Sequence, residues 1–373
     1  MKTMNRRQFL RLAGATAAGV TLFGAGCVTQ RTTSALTTAP EQTSVPAATL
    51  PVADAPVPTF TPTLITEVRW PEIIKFYPDM PSRVVRASHA NAWDGEVLAP
   101  EAPRQMLDAA ITALTGLSDA DEAWAALFSP GERIAIKVNT IRNSLFWTHV
   151  PLVMAVAECL QEVGIPAEQI VVFDRDTAEL EEAGYPINRD GRGVRCYGTD
   201  GAYTGGWTVA QSAVCLSDIL LGCDALINVP LLKSHALSGI TFAMKNHYGI
   251  FDQPQNFHSS DRMVRGIVEL GALPEIRDRQ RLIVGDALLS TLKEASSWPY
   301  WRDAIPGNSI FMSFDPVAHD TVGLQHWCQL KTEHGESTEA PTHLANTWLQ
   351  RGADLGLGTN TLENVDLVEV NLG

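Results

Sequence analysis

Short, almost wholly apolar runs alternate with stretches of helical periodicity, and this alternation limits the fold more than any other feature of the sequence. A strand without a polar face is buried on both sides, which requires a sheet that lies between two layers of helices. The sequence therefore predicts an α/β fold, a three-layer sandwich with a mostly parallel central sheet. The predicted strands are 133–138, 169–173, 225–229, 281–284 and 309–313, with helices at 151–163 and 316–330 and an edge strand at 365–370.

The N-terminus carries the pattern of an export signal. Residues 5–11 read Asn-Arg-Arg-Gln-Phe-Leu-Arg, which is typical of the twin-arginine signal. The mildly apolar stretch 12–25 is too short for a stable membrane-spanning helix. We therefore assign 1–26 to a twin-arginine signal peptide, and we expect the twin-arginine export machinery to be a partner.

Cys27 follows three small residues, as in a lipoprotein cleavage box, although the usual leucine three positions earlier is missing. Lipid attachment at Cys27 and simple cleavage by a leader peptidase both remain open. Residues 27–62 are rich in Thr, Pro and Ala and are predicted to form a disordered tether. The single α/β domain would span 63–373, outside the cytoplasm, with a lipid at Cys27 as its one contact with the membrane.

Charge and cysteine usage exclude several classes of function. The net charge of −14 argues against nucleic acid and against anionic membrane surfaces, which both select basic patches. The six cysteines form no C-x-x-C pair, which argues against a zinc ribbon and against an iron–sulfur cluster. We expect the thiols beyond Cys27 to be buried, with a Cys215–Cys223 bridge as the one alternative. There is also no Walker loop, G-x-S-x-G elbow or H-E-x-x-H helix.

Polar residues follow the predicted strands, where ligands of open parallel sheets bind. Lys137 lies within an apolar run, and burying its ammonium is costly without a partner. It is therefore interpreted either as a site residue or as a member of a structural ion pair. The residues predicted to bind a ligand are Lys137, Asn139, Thr241 and Asn246, and the predicted ligands of a divalent metal are Asp174, Asp286 and Asp320.

The segment from 233 to 249 is the richest in chemistry-bearing side chains. Lys233, His235 and Lys245 are the candidate catalytic residues, because lysines bind an anion as point charges and a histidine can move protons. If 240–247 is helical, Thr241 and Lys245 share one face. His89 and the turn at 91–95 are weaker candidates for the same pocket. His258, His326, His334 and His343 are interpreted as surface or core histidines.

Four of these segments resemble the family called domain of unknown function 362. The matching segments are 136–139, 227–235, 239–246 and 315–320, within a region that spans roughly 83–330. Some relatives carry a ferredoxin-like cluster module beside this domain. This chain lacks the cysteines for such a module, so the resemblance does not imply an iron–sulfur cluster here. The family name implies no activity.

Two classes of function fit these observations. The first is an exported enzyme that depends on a metal or on an anion-binding pocket and acts on a small anionic substrate, with His235 or a lysine of lowered pKa moving protons. The second is a cell-surface protein that binds a ligand, metal or cofactor without turnover, or that serves as a redox or envelope accessory. The sequence leaves the identity of a cofactor undetermined.

Overall fold

A computed structural model describes residues 82–141, 146–292 and 304–373. These residues belong to one compact unit of the chain. The predicted signal peptide, the tether with Cys27, and residues 63–81 of the predicted domain lie outside the described residues. None of the helices in these ranges has the length and hydropathy needed to cross a membrane.

The strands and helices of the described ranges alternate along the chain as the sequence predicts. The strands are β1 (Ser82–His89), β2 (Trp93–Asp94), β3 (Val97–Leu98), β4 (Ile134–Lys137), β5 (Ile170–Phe173), β6 (Arg195–Cys196), β7 (Tyr203–Val209), β8 (Ser212–Ser217), β9 (Ala225–Asn228), β10 (Leu231–His235), β11 (Gly239–Thr241), β12 (Gln280–Thr291), β13 (Ala304–Ser313) and β14 (Val365–Leu372). The α-helices are α1 (Ala102–Thr115), α2 (Ala120–Leu127), α3 (Val150–Glu162), α4 (Thr177–Glu182), α5 (Asp218–Gly222), α6 (Ala243–Asn246), α7 (Ser260–Ala272), α8 (Pro274–Arg277), α9 (Pro316–Glu333) and α10 (Glu339–Asp354).

One ten-stranded sheet forms the centre of the fold. Its main order is β14-β1-β13-β12-β9-β4-β5-β6, and β10 lies beside β12 with β11 as its own neighbour. The pairs β14–β1, β12–β9, β9–β4, β4–β5 and β5–β6 are parallel. Only β13, within this order, is antiparallel to both of its neighbours. The predicted mostly parallel sheet is therefore confirmed, and β14 is the predicted edge strand.

The two faces of the sheet pack into separate hydrophobic clusters. On β4, Ile134 and Ile136 join the cluster of Met106, Trp124 and Val156, which lie on α1, α2 and α3. Ala135, between them in the chain, joins the cluster that holds residues of α7, α9 and α10. Successive side chains of a strand point to opposite faces, so this division places one helical layer on each side. The predicted three-layer sandwich is confirmed.

Two local predictions are wrong, and one alternative is excluded. Because β13 runs against β12, pairing Ile283 with Ser313, its carboxyl end lies at the opposite edge of the sheet from the other strand ends. Residues 240–247 do not form one helix: Thr241 ends β11 and pairs with Lys233 before the short α6 begins. All five described cysteines are free thiols, so the alternative bridge is absent.

The buried carboxylate of Asp315 caps α9. Its Oδ1 accepts hydrogen bonds from the backbone N–H groups of Val317 and Ala318, each at 2.8 Å. Its Oδ2 accepts from the Ser82 hydroxyl at 2.6 Å and from the Thr359 N–H at 3.0 Å. The carboxylate thus joins β1, α9 and the segment before β14, although burial raises its pKa to about 6.

We expect Asp315→Ala to lower the free energy of unfolding by about 2 kcal/mol, because it leaves several donors unpaired in the interior. Urea unfolding followed by circular dichroism measures the loss. Asp119→Ala is the matched control: Asp119 caps α2 through one exposed bond to the Glu122 N–H, so its loss should be smaller. Equal losses in the two variants would contradict the structural role of Asp315.

Candidate functional site

A buried ion pair lies where β4 and β5 end side by side. Nζ of Lys137 lies 2.7 Å from Oδ1 of Asp174, and the two side chains are 1% and 6% exposed. Oδ2 of Asp174 accepts hydrogen bonds from the N–H (2.6 Å) and the hydroxyl (3.0 Å) of Thr140. Burial lowers the pKa of the Lys137 ammonium, while Asp174 opposes that shift. Of the two interpretations of Lys137, the geometry supports the structural ion pair.

Neutral amide groups connect the ends of β4 and β10. Nζ of Lys233 donates to Oδ1 of Asn139 at 2.8 Å, and Nδ2 of Asn139 donates to Oδ1 of Asn246 at 3.2 Å. Nδ2 of Asn246 donates to Oδ1 of Asn228 at 2.8 Å and to the Lys137 carbonyl at 3.3 Å. The structure thus brings four predicted site residues, Lys137, Asn139, Lys233 and Asn246, to one edge of the sheet.

This amide network continues through residues that the sequence analysis did not select. Nδ2 of Asn228 donates to Oε1 of Gln280 at 2.9 Å, and Nε2 of His247 lies 2.8 Å from the same oxygen. Burial, followed by the charge of Lys137, lowers the pKa of His247 to about 4, although the bond to Gln280 opposes the shift. His247 is therefore a neutral, buried member of the network.

His235 lies in a positively charged environment. Burial lowers its pKa to about 2, and Lys245, His258 and Lys233 add to the shift. Its Nδ1 accepts from the backbone N–H groups of Leu237 and Ser238 at 3.2 and 3.3 Å. The ring therefore stays neutral at physiological pH, which disfavours the predicted role of His235 in moving protons.

Lys245 and His258 lie close to this ring. The Lys245 ammonium is 5.0 Å from the centre of the Tyr248 ring, a cation–π distance. The rings of His235 and His258 have their centres 6.1 Å apart. His258, which the sequence analysis set aside as a surface or core residue, is indeed exposed, but it borders the candidate site.

Thr241 lies directly opposite Lys233 in the β10–β11 ladder. Its side chain is 2% exposed, and its hydroxyl has no hydrogen-bond partner within the described ranges. Directly opposed residues of an antiparallel pair have their Cβ atoms about 5 Å apart on one face. The unsatisfied hydroxyl is therefore a neighbour of the Lys233 side chain.

The three aspartates predicted to bind a metal are bound to different partners. Asp174 pairs with Lys137, and Oδ2 of Asp286 accepts from the backbone N–H and from Nδ1 of His149, each at 2.7 Å. Asp320 accepts from the Ala243 and Met244 N–H groups at 2.8 and 2.9 Å. In the part of the chain that the structure describes, no three His, Cys, Asp or Glu side chains are grouped as metal ligands. The predicted three-aspartate metal site is wrong.

Asp320 differs from the other two because it follows the antiparallel strand β13. It lies on the second turn of α9, next to His319, whose Nδ1 is 2.8 Å from Oδ1 of Asp320. Both side chains are fully buried. Two further candidates differ: Nε2 of His89 is engaged elsewhere, 2.9 Å from Oε1 of Gln105, whereas Trp93 of the turn at 91–95 packs against His149 with ring centres 5.5 Å apart.

An open cleft of about 430 Å³ lies beyond β5 and contains none of the predicted site residues. Arg175 lines it, but its guanidinium already pairs with Asp176 at 2.9 Å and with Glu179 at 3.2 Å. The cleft also contains Asp200, which pairs with Arg189. Its cations are thus balanced locally, and it is not part of the cationic edge at Lys233.

The fold and the strand ends around Lys233 define an α/β protein with a polar, cationic site at the carboxyl ends of its parallel strands. The chain belongs to the family described as Domain of unknown function (DUF362), whose sequence model matches residues 134–325. All ten predicted site residues, from Lys137 to Asp320, lie in that matched region. A search of curated proteins found no match.

Two solved structures are similar over part of their length. One is the lactate racemase apoprotein from Thermoanaerobacterium thermosaccharolyticum, at 9% identity and a TM-score of 0.40, covering 67% of this chain and 57% of that chain. The other is a protein from Thermotoga maritima, at 14% identity and a TM-score of 0.37, covering 65% and 60%. This chain thus covers less than two thirds of either structure.

We expect Gly249→Ala to disrupt the buried ion pair, because a Cβ at Gly249 would collide with both Asp174 Oδ1 and Lys137 Nζ. Overpacking of this kind should lower the free energy of unfolding by about 2–3 kcal/mol in urea titrations. Gly222→Ala is the matched control, because a Cβ there meets no atom within 4 Å. A Gly249→Ala protein as stable as the control would show that the pair tolerates displacement.

Proposed function

We propose that this protein binds a small anionic molecule at the carboxyl edge of its sheet and acts on it as an enzyme. The observation that carries the proposal is the Thr241 hydroxyl, which is buried opposite Lys233 and has no hydrogen-bond partner in the described ranges. A buried hydroxyl without a partner costs free energy, and a ligand oxygen beside Lys233 would accept its hydrogen bond.

The charges around Lys233 support an anion rather than a cation as the ligand. Lys233 and Lys245 both lower the pKa of His235, so a positive potential acts on this ring although the protein as a whole carries a net charge of −14. One contact of the Lys233 ammonium is the side-chain oxygen of Asn139, at 2.8 Å, which fixes the direction of the amide. A ligand carboxylate or phosphate would therefore meet ammonium groups and amides that are already oriented.

Binding without turnover is the second candidate function. The neutral state of His235 favours it, because a ring with a pKa of about 2 holds a ligand by hydrogen bonding rather than by proton transfer. The two candidates differ in one measurable property, the chemical change of a bound ligand. The site in both is the same edge of the sheet.

We expect Lys233→Met to weaken the binding of inorganic phosphate and malonate at least tenfold in isothermal titration calorimetry, which is about 1.4 kcal/mol. Thr241→Val, which removes only the hydroxyl, should weaken binding less. Arg277→Met is the control for loss of a positive charge, because Arg277 pairs with Asp278 just before the amino end of β12. The proposal fails if neither anion binds, or if Lys233→Met binds them as the wild type does.

We also propose that the protein is exported through the twin-arginine pathway and anchored by a lipid at Cys27. The twin arginines at 6 and 7 and the small residues before Cys27 support this proposal. In cell fractionation, changing Arg6 and Arg7 to Lys should retain the protein in the cytoplasm, whereas Arg11→Lys should not. Cys27→Ser should release the exported protein from the membrane fraction. Export of the double variant at the wild-type level would disprove the assignment.

A further inference from the structure

A histidine that the sequence analysis did not select forms a fixed pair with Asp286. His149 is the N-cap residue of α3, and its backbone N–H and its ring Nδ1 both lie 2.7 Å from Oδ2 of Asp286. Oδ1 of Asp286 accepts from the Leu288 N–H at 3.1 Å. The carboxylate is fully buried and is held by donors on both oxygens, so it fixes the position of the ring.

The contact with Asp286 determines which ring nitrogen carries the proton. Nδ1 of His149 must donate, because the carboxylate oxygen accepts, and the neutral ring therefore presents an unprotonated Nε2. The side chain is 17% exposed, and Nε2 has no hydrogen-bond partner among the residues that the structure describes. Packing of Trp93 against the ring further restricts its rotation, and Trp93 itself donates to the Leu288 carbonyl at 3.3 Å.

His149 belongs to the same edge of the sheet as Lys233. Asp286 pairs with Leu231, two residues before Lys233 on β10. Lys233 contacts Asn139, and Asn139 exchanges hydrogen bonds with Thr148, the residue before His149, through two contacts of 3.0 Å. Hydrogen bonds thus connect His149 to Asp286, and Lys233 to Asn139 and Thr148, while the β10–β12 ladder joins Asp286 to the strand that carries Lys233.

The hydroxyl groups at this edge do not form an activated nucleophile. Those of Thr140 and Thr148 donate to Asp174 and to the Val229 carbonyl, each at 3.0 Å. Thr241 has no base in contact with its hydroxyl within the described residues. A threonine hydroxyl becomes an effective nucleophile only beside a base, so these contacts give no support to a threonine nucleophile at this edge.

We propose that His149, oriented by Asp286, is the catalytic acid–base residue of this site and that the substrate is a small carboxylate with an acidic C–H next to a carbonyl group. This inference rests on the anion site proposed above. The C–H bond breaks, its proton goes to Nε2 of His149, and its electron pair moves onto the substrate oxygen as an enolate. Lys233 stabilises that oxygen, and the imidazolium returns the proton to carbon, so no oxidant or reductant is needed.

Proton exchange with solvent tests the inference directly. The full-length protein is incubated in D₂O with malonate or pyruvate, and loss of the C–H signals is followed by ¹H NMR. We expect the wild type to accelerate exchange in at least one of the two probes. His149→Gln should lower the rate about 10²–10⁴-fold while phosphate binding by calorimetry persists. His334→Gln, a change at an exposed histidine, should match the wild type.

The outcomes separate the two proposals. If phosphate and malonate bind but neither probe exchanges faster than with His149→Gln, the role of His149 is disproved and the anion site stands. If neither anion binds, the anion site fails and the inference fails with it. If His149→Gln does not fold, the wild type is labelled with diethyl pyrocarbonate, which modifies accessible histidines. Modification of His149 that phosphate suppresses supports the inference. The inference is overturned if His149 is not modified, or if phosphate does not protect it from modification.

Discussion

The ion pair between Lys137 and Asp174 is the interaction on which the candidate site depends. An ammonium buried to 1% exposure at the end of a central strand is tolerated only with an oriented counter-charge, and Asp174 at the end of the next strand supplies it. Thr140 and the backbone N–H of Arg175 occupy the remaining acceptor positions of that carboxylate. The pair therefore joins the ends of β4 and β5. It also fixes the start of the segment that carries Asn139, the hydrogen-bond partner of Lys233.

From this pair outward, neutral groups carry the network across the sheet. Asn246 bonds to the carbonyl of Lys137, to Asn139 and to Asn228, so one side chain connects the ends of two strands, β4 and β9. Amides donate and accept without changing charge, and the side-chain oxygen of Asn139 accepts a hydrogen bond from Lys233. His247 within the network and His235 beside it stay neutral, since burial lowers the pKa of His247 to about 4 and that of His235 to about 2. Lys233 and Lys245 both lie at this edge, and both lower the pKa of His235.

Part of the site could be predicted because strand-end residues of parallel neighbours converge whatever the details of packing. That rule correctly brought Lys137, Asn139, Lys233 and Asn246 together. It misplaced Asp320, because the direction of β13 cannot be read from an apolar run. It missed His149, which lies at the start of α3 with no motif around it and whose partner Asp286 is 137 residues away. The strand ladder, not a helix, placed Thr241 opposite Lys233.

The sequence by itself determined the α/β class and the mostly parallel sheet, because burial on both faces of a strand leaves a continuous apolar run that can be recognised without knowing the partners of the strand. Its motif segments determined the family. It also determined which residue types follow each strand. Only the tertiary structure decided which of them meet: that Lys137 is paired internally, that the three aspartates bind separate partners, and that His149 is oriented by Asp286. Such pairings depend on strand direction, register and loop path, which arise from contacts between residues far apart in the chain and leave no periodic trace in the sequence.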